Sequence, residues 1–153
     1  MMLVGITVAS AAITQGEDAF TGGTTINSWV SGKDPSEFKS LYFRKIINTS
    51  PVVYEIQATK ISSKTFIFRN SPAEIKIDQE DVQSLVIKDS SFMTLPDNNI
   101  YSDITVLVPN DMPQGIKDAK RIALRFQTVA GPYVYVLPES VLTEWKEVIA
   151  TEK

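Results

Sequence analysis

Ser36-Glu37-Phe38-Lys39 reads as S-x-x-K, the spacing that sets a lysine one helical turn from a nucleophilic serine in serine acyl-enzymes. The companion S-D-N and K-T-G elements of that chemistry are absent, and a polar loop between strands accounts for the same four residues. A second stretch, EDAFTGGTTINSWVSGK from Glu17 to Lys33, gathers adjacent glycines, hydroxyls and a lysine in the manner of a phosphate cradle. A Walker loop needs G-x-x-x-x-G-K-[ST], but Gly32-Lys33 runs into Asp34-Pro35 and the leading glycine is missing. Thr24, Thr25 and Ile26 favour a strand instead, with Gly22-Gly23 marking a bulge or a close backbone approach. Asp78, Glu80 and Asp81 concentrate carboxylates in IDQEDVQ, a turn with oxygens suited to Ca²⁺. Neither the glycine nor the distal glutamate of an EF-hand falls in place, so solvated acids at a hairpin turn are the plainer reading.

Two absences bound the chemistry further. The chain has no cysteine and no histidine. Thiol nucleophiles, disulfides, Cys/His zinc sites, histidine-assisted serines and imidazole acid–base catalysis are therefore excluded. Carboxylate, lysine, tyrosine and hydroxyl chemistry remain, and the chain is expected not to be an enzyme, with no catalytic, cofactor or metal-binding residue assigned. Fifteen basic residues against 18 acidic ones give a net charge of −3, and no basic stripe interrupts the chain, so nucleic acid is not an expected partner.

The elements that must carry these residues alternate with period two. In KRIALRFQT, Ile122, Leu124 and Phe126 oppose Arg121, Ala123, Arg125 and Gln127, the pattern of a strand with one buried and one charged face. VVYEIQAT sets Tyr54, Ile56 and Ala58 against Val53, Glu55 and Gln57; KTFIFR and AEIKID continue with Phe66, Phe68, Ile75 and Ile77 inward. A tight turn is expected to pair Ile75 and Ile77 with Leu85 and Ile87. SSFMTLPDNN reads as the longest turn-rich stretch, followed by a strand with Ile104, Val106 and Val108 on one face. Tyr133 and Tyr135 share one face of GPYVYVLP and Val134 and Val136 the other, a pattern expected to be buried on both sides or tucked under the final helix. MPQGIKDAK allows a helical turn or two, weakened by Gly115. PESVLTEWKEVIAT predicts a longer helix, because Val141, Leu142, Trp145, Val148 and Ile149 recur at helical spacing after Pro138. The 153 residues, 43% hydrophobic and 22% charged, suit a single domain with one core. The expected fold is mainly β, an antiparallel sandwich or partly open barrel capped by a C-terminal amphipathic helix.

The first twelve residues, MMLVGITVASAA, are apolar and uncharged, and Ala9-Ser10-Ala11 has the small-x-small form of a signal-peptidase site. The run is shorter than the roughly 20 residues that cross a bilayer, so no stable membrane span is expected. Residues 1–12 are read as a signal-peptide remnant and residues 13–153 as the domain, placed in the periplasm or outside the cell. In order, DAFTGGTT, TFIF, EIKIDQEDVQSLVIK, YSDITVLVP, IKDAKRIALRFQT and LPESVLTEWKEVI resemble a family of small bacterial exported domains of uncharacterised function. The likeness runs from Asp18 to Ile149. It departs at Thr65-Phe66, where a tryptophan is expected before IF, and at Gln79-Glu80, where a glycine is expected in the acidic turn. It implies a compact β domain in the envelope or beyond it, and no catalytic residues.

The function expected is a non-catalytic binding module, its contacts drawn from strand edges and from loops such as Lys33–Lys39 and Ser90–Asn99. Trp29 and Tyr42 are the candidate surface contacts, since each lies in a mixed pattern with no clear inner face. The rival is a carrier of a small apolar molecule or lipid, with a cavity between sheet and helix lined by Phe66, Phe126 and Trp145. A hydrolase using Ser36 and Lys39 ranks last. A carrier requires that cavity; an interaction module requires a filled core and an exposed apolar patch or unpaired strand edge.

Overall fold

The computed structural model describes residues 10–17, 23–32, 37–47, 51–63 and 66–152. Nine strands and two helices follow in the order β1 (Ser10–Glu17), β2 (Thr24–Ser31), β3 (Ser40–Ile46), β4 (Val53–Ser62), β5 (Ala73–Ile77), β6 (Gln83–Thr94), β7 (Ile100–Val108), α1 (Pro113–Asp118), β8 (Ile122–Thr128), β9 (Gly131–Val136) and α2 (Glu139–Ala150). All strand pairs are antiparallel, in one open sheet ordered β1-β2-β3-β4-β7-β6-β5-β8-β9. The mainly β fold with a C-terminal helical cap is thus observed, its strands joined in one continuous sheet. β1 begins at Ser10, opposite Ser31, three residues ahead of the domain start expected at residue 13. Residues 1–9 lie outside the described residues, as does Ser36 of the S-x-x-K match.

One hydrophobic cluster takes side chains from both ends of this sheet: Ile26, Leu41, Phe43 and Ile56 from one half, Ile75, Leu124 and Phe126 from the other. A single sheet can share one core between its two halves only by curling over on itself, as its natural twist promotes. α2 then fills the trough. Val141, Leu142, Trp145 and Val148 are buried, as the helical spacing predicts, and Trp145 lies stacked on Phe43 with ring centroids 4.5 Å apart. Lys45 fixes the far end of the helix by donating through Nζ to the carbonyls of Ile149 (2.8 Å) and Thr151 (2.9 Å), which have no helical partner of their own. Nearer the middle, the buried Ser28 hydroxyl donates to Glu144 at 2.9 Å, while burial pushes the Glu144 carboxyl above its usual range.

Phe38 closes the other end. Its ring meets Tyr135 at 5.0 Å, Tyr133 at 5.2 Å, Phe126 at 5.7 Å and Phe68 at 6.3 Å, so the β2–β3 connection touches the last two strands directly. Gly32 permits this approach: a Cβ there would stand 2.2 Å from the Phe38 carbonyl oxygen and 2.9 Å from the Glu37 Cβ. Lys60 tightens the same closure, donating to the Glu37 carbonyl at 3.1 Å with its ammonium over the rings of Phe66 and Tyr133.

Several expectations are corrected. KTFIFR does not form a strand among the described residues; Phe68 makes an isolated bridge to Thr128, flanked by backbone bonds from Arg69 N–H to the Gln127 carbonyl and from Val129 N–H to the Ile67 carbonyl, and its ring lies in the aromatic cluster. The β5–β6 hairpin is tighter than expected, with Leu85 opposite Ala73 and Gln83 opposite Ile75. Asp78 adopts a left-handed φ of 51°, and the Glu80 amide donates to the Ile77 carbonyl. Ser90–Thr94 belong to β6, and the turn is confined to the residues around Asp97 and Asn98. Val134 and Val136 are exposed, since β9 is an edge strand packed on its tyrosine face only. Trp145→Ala is expected to lower stability by about 3–5 kcal/mol in chemical denaturation, because it empties the trough beneath the helix; an unchanged midpoint would refute that placement.

Candidate interaction surface

The face of the sheet turned away from α2 is built by the residues that alternate with the core. Asn27 and Trp29 of β2, Tyr42 and Arg44 of β3, Glu55, Gln57 and Thr59 of β4, and Asp103 and Thr105 of β7 fall on it in register. Trp29 stands directly opposite Tyr42, with ring centroids 6.3 Å apart, and both are half-buried. The two aromatics singled out from the sequence are therefore one cross-strand pair with a definite outer orientation. The Arg44 guanidinium lies 5.8 Å from the Tyr42 ring.

Beside that pair runs a polar network the sequence did not reveal. Glu55 is only 2% exposed although it sits on the outer face. Arg44 covers it from one side with a 3.3 Å contact and Lys88 of β6 from the other, while Arg44 also donates to Asn27 (2.9 Å) and Gln57 (3.3 Å). Asp103 accepts from Gln57 at 3.0 Å and from Thr59 at 2.8 Å. Each carboxylate is thus spent on neighbours across the strands. The acidic turn is spent likewise: Asp78 Oδ1 accepts from the backbone N–H groups of Lys120 (2.8 Å) and Arg121 (2.9 Å), and those bonds hold its carboxyl below the usual range. No group of three or more His, Cys, Asp or Glu suited to a metal ion occurs among the described residues. Lys39 is exposed.

The space expected for an apolar ligand is packed. Trp145 and Phe126 are fully buried against Phe43 and against Phe38 and Phe68, and Phe66 lies edge-on to Phe68 and Tyr133, so these three side chains do not face a common void.

Large apolar side chains instead reach solvent along the strands. Val86 is 66% exposed, Phe92 63%, Met93 57% and Val134 58%. β6 is the unusual element. Between Gln83 and Leu85 it pairs with β5; from Val86 to Thr94 it pairs with β7 alone, and no strand among the described residues lies along its other edge. Edge strands are commonly guarded by charges and bulges. β6 has both at its start, in Lys88, Asp89 and the register shift between Ile87 and Asp89. Ser90-Ser91-Phe92-Met93-Thr94 has neither, and it presents Phe92 and Met93 on opposite faces of the open edge. Sequence pattern missed this because SSFMT looks like turn composition next to Pro96 and Asn98.

No family model matches the chain, and neither does any curated protein sequence. Among solved structures it is similar to invasion associated protein B from Bartonella henselae, with a TM-score of 0.55 and 13% identity over 93% of this chain and 92% of that one. The likeness is one of fold, and it places the chain beside a bacterial β domain.

The buried Glu55 and the half-buried Glu74 offer a test of the network. Glu74 pairs with Arg125 at 2.7 Å in the open, where such pairs contribute little. Glu55→Gln is expected to cost about 1.5–3 kcal/mol in denaturant unfolding, since two cations lose a shared, desolvated acceptor. Glu74→Gln is expected to leave the midpoint nearly unchanged; equal effects would show that Glu55 is no more shielded than Glu74.

Proposed function

We propose that the chain is a non-catalytic interaction module, working in the periplasm or outside the cell, that receives an extended segment of a partner protein along the open edge of β6. The observation that carries this reading is the unguarded run Ser90–Thr94, unpaired on one side among the described residues and carrying the exposed Phe92 and Met93. An added strand gains main-chain hydrogen bonds from such an edge, while alternate side chains supply selectivity. The packed interior supports the same choice over a carrier, because Phe126 and Trp145 are committed to the core. Export is supported by the apolar start of the chain and by the ordered resemblance to small exported domains. Among the described residues no helix is long and apolar enough to cross a membrane.

A photo-crosslinking residue at position 92, irradiated in the producing cell, is expected to yield a discrete protein adduct that Met93→Glu abolishes without moving the thermal midpoint. The same residue at Gln15, exposed on β1, is expected to yield none. Adducts of equal strength from both positions, or no adduct at position 92, would overturn the assignment of the edge.

A further inference from the structure

β9 ends the sheet order and is paired on one side only, by β8. That pairing fixes which of its backbone groups face outward. The Leu137 amide donates to the Ile122 carbonyl at 2.9 Å, and the register continues with Leu124 opposite Tyr135 and Phe126 opposite Tyr133. Hydrogen-bonded pairs alternate along an antiparallel ladder, so Tyr133, Tyr135 and Leu137 spend their backbone groups on β8. Val134 and Val136 therefore turn N–H and C=O to the free margin, where no strand among the described residues lies. Their side chains, 58% and 41% exposed, lie on the outer face, while the rings of Tyr133 and Tyr135 are committed to Phe38.

The run along this margin is nearly palindromic. Pro132-Tyr133-Val134-Tyr135-Val136-Leu137-Pro138 reads outward from Tyr135 as valine, then tyrosine or leucine, then proline in either direction. An antiparallel pair formed about a two-fold axis at Tyr135 sets each residue against its mirror position. Val134 then faces Val136 of a second copy, and Val136 faces Val134, each pair exchanging both main-chain bonds. Pro132 and Pro138 fall opposite one another, and since neither has an N–H the ladder ends at both without a stranded donor. The run carries no charge, so the axis brings no like charges together. Edge strands are commonly guarded by charge or by proline. Here the prolines stand at the ends of the run and leave the outward N–H groups of both valines open. On the outer face the paired valines would extend an apolar strip that Val82, Ala123 and Val134 already form around a hollow of about 160 Å³.

We infer that this protein forms a two-fold dimer by pairing β9 with β9 of a second copy, in register about Tyr135. A strand from an unrelated protein would gain from the open margin but has no reason to match its mirror symmetry, which a second copy reproduces in full. The same patch serves on both chains, so the assembly closes at two. It consumes no residue of Ser90–Thr94 and goes beyond the function proposed above.

Sedimentation velocity of the full chain, from about 10 μM to about 1 mM, is expected to show reversible dimerisation, because a ladder this short makes a small and weak interface. Amide NMR over the same range is expected to shift Val134 and Val136 and to leave Ser90–Thr94 in place. Val134→Lys, at an exposed side chain, puts like charges on either side of the axis; it is expected to lower the association constant about tenfold or more and to leave the thermal midpoint of the dilute monomer unchanged. Val136→Pro removes an outward N–H that β8 does not use and is expected to weaken association in the same way. Met93→Glu, on the β6 edge, is expected to dimerise as the unaltered chain does. A monomer across the whole range, concentration-dependent shifts confined to other residues, a dimer that Val134→Lys leaves intact, or one that Met93→Glu disrupts would overturn the inference.

Discussion

An open antiparallel sheet with one apolar face has to cover that face, and the closure made by Phe38 is the contact on which this structure depends. The ring leaves the β2–β3 connection and inserts among Phe68, Phe126, Tyr133 and Tyr135, joining elements far apart in the sheet order. Edge-on and tilted ring contacts of this kind contribute beyond the area they bury, and four of them meet at one side chain. Gly32 makes the geometry possible, because any larger residue would collide with the Phe38 backbone. A glycine next to a lysine, which in another setting would suggest phosphate, has a steric purpose here. At the other end of the trough the stack of Trp145 on Phe43 and the Lys45 contacts seat the helix.

With the interior closed in this way, the places left for recognition are on the outside. The sheet changes partners along β6: the strand leaves β5 after Leu85, bulges past Ile87 and continues beside β7 alone. The same divergence that lets the sheet curl leaves one edge of Ser90–Thr94 open. Asp78 and Lys146 likewise hold the α1–β8 connection at a fixed distance from α2.

Much of the fold was legible from alternation. β4, β7 and β8 bury the side chains their period-two pattern selects, and α2 buries four of the five residues of its stripe with Ile149 half-buried. Three features were not legible, each for a physical reason. The tyrosines and valines of β9 give the same alternation whether a strand is central or at an edge, so the exposure of Val134 and Val136 depended on sheet order. Ser90–Thr94 has weak turn-like composition and is held as strand by β7, a partner that local sequence does not identify. Glu55 looked like an ordinary outward carboxylate until the register placed Arg44 and Lys88 over it. Trp29 and Tyr42, chosen separately for their mixed surroundings, proved to be opposite one another for the same reason of register.

The most direct test of the closure is equilibrium denaturation of Phe38→Ala, followed both by far-UV circular dichroism and by aromatic near-UV signal. The account predicts a loss of about 3–5 kcal/mol in a single transition common to both probes, because one side chain seals a core shared by the whole sheet. An unchanged midpoint, or a near-UV transition that separates from an intact far-UV one, would contradict it and show that the two halves of the sheet stand without the Phe38 seam.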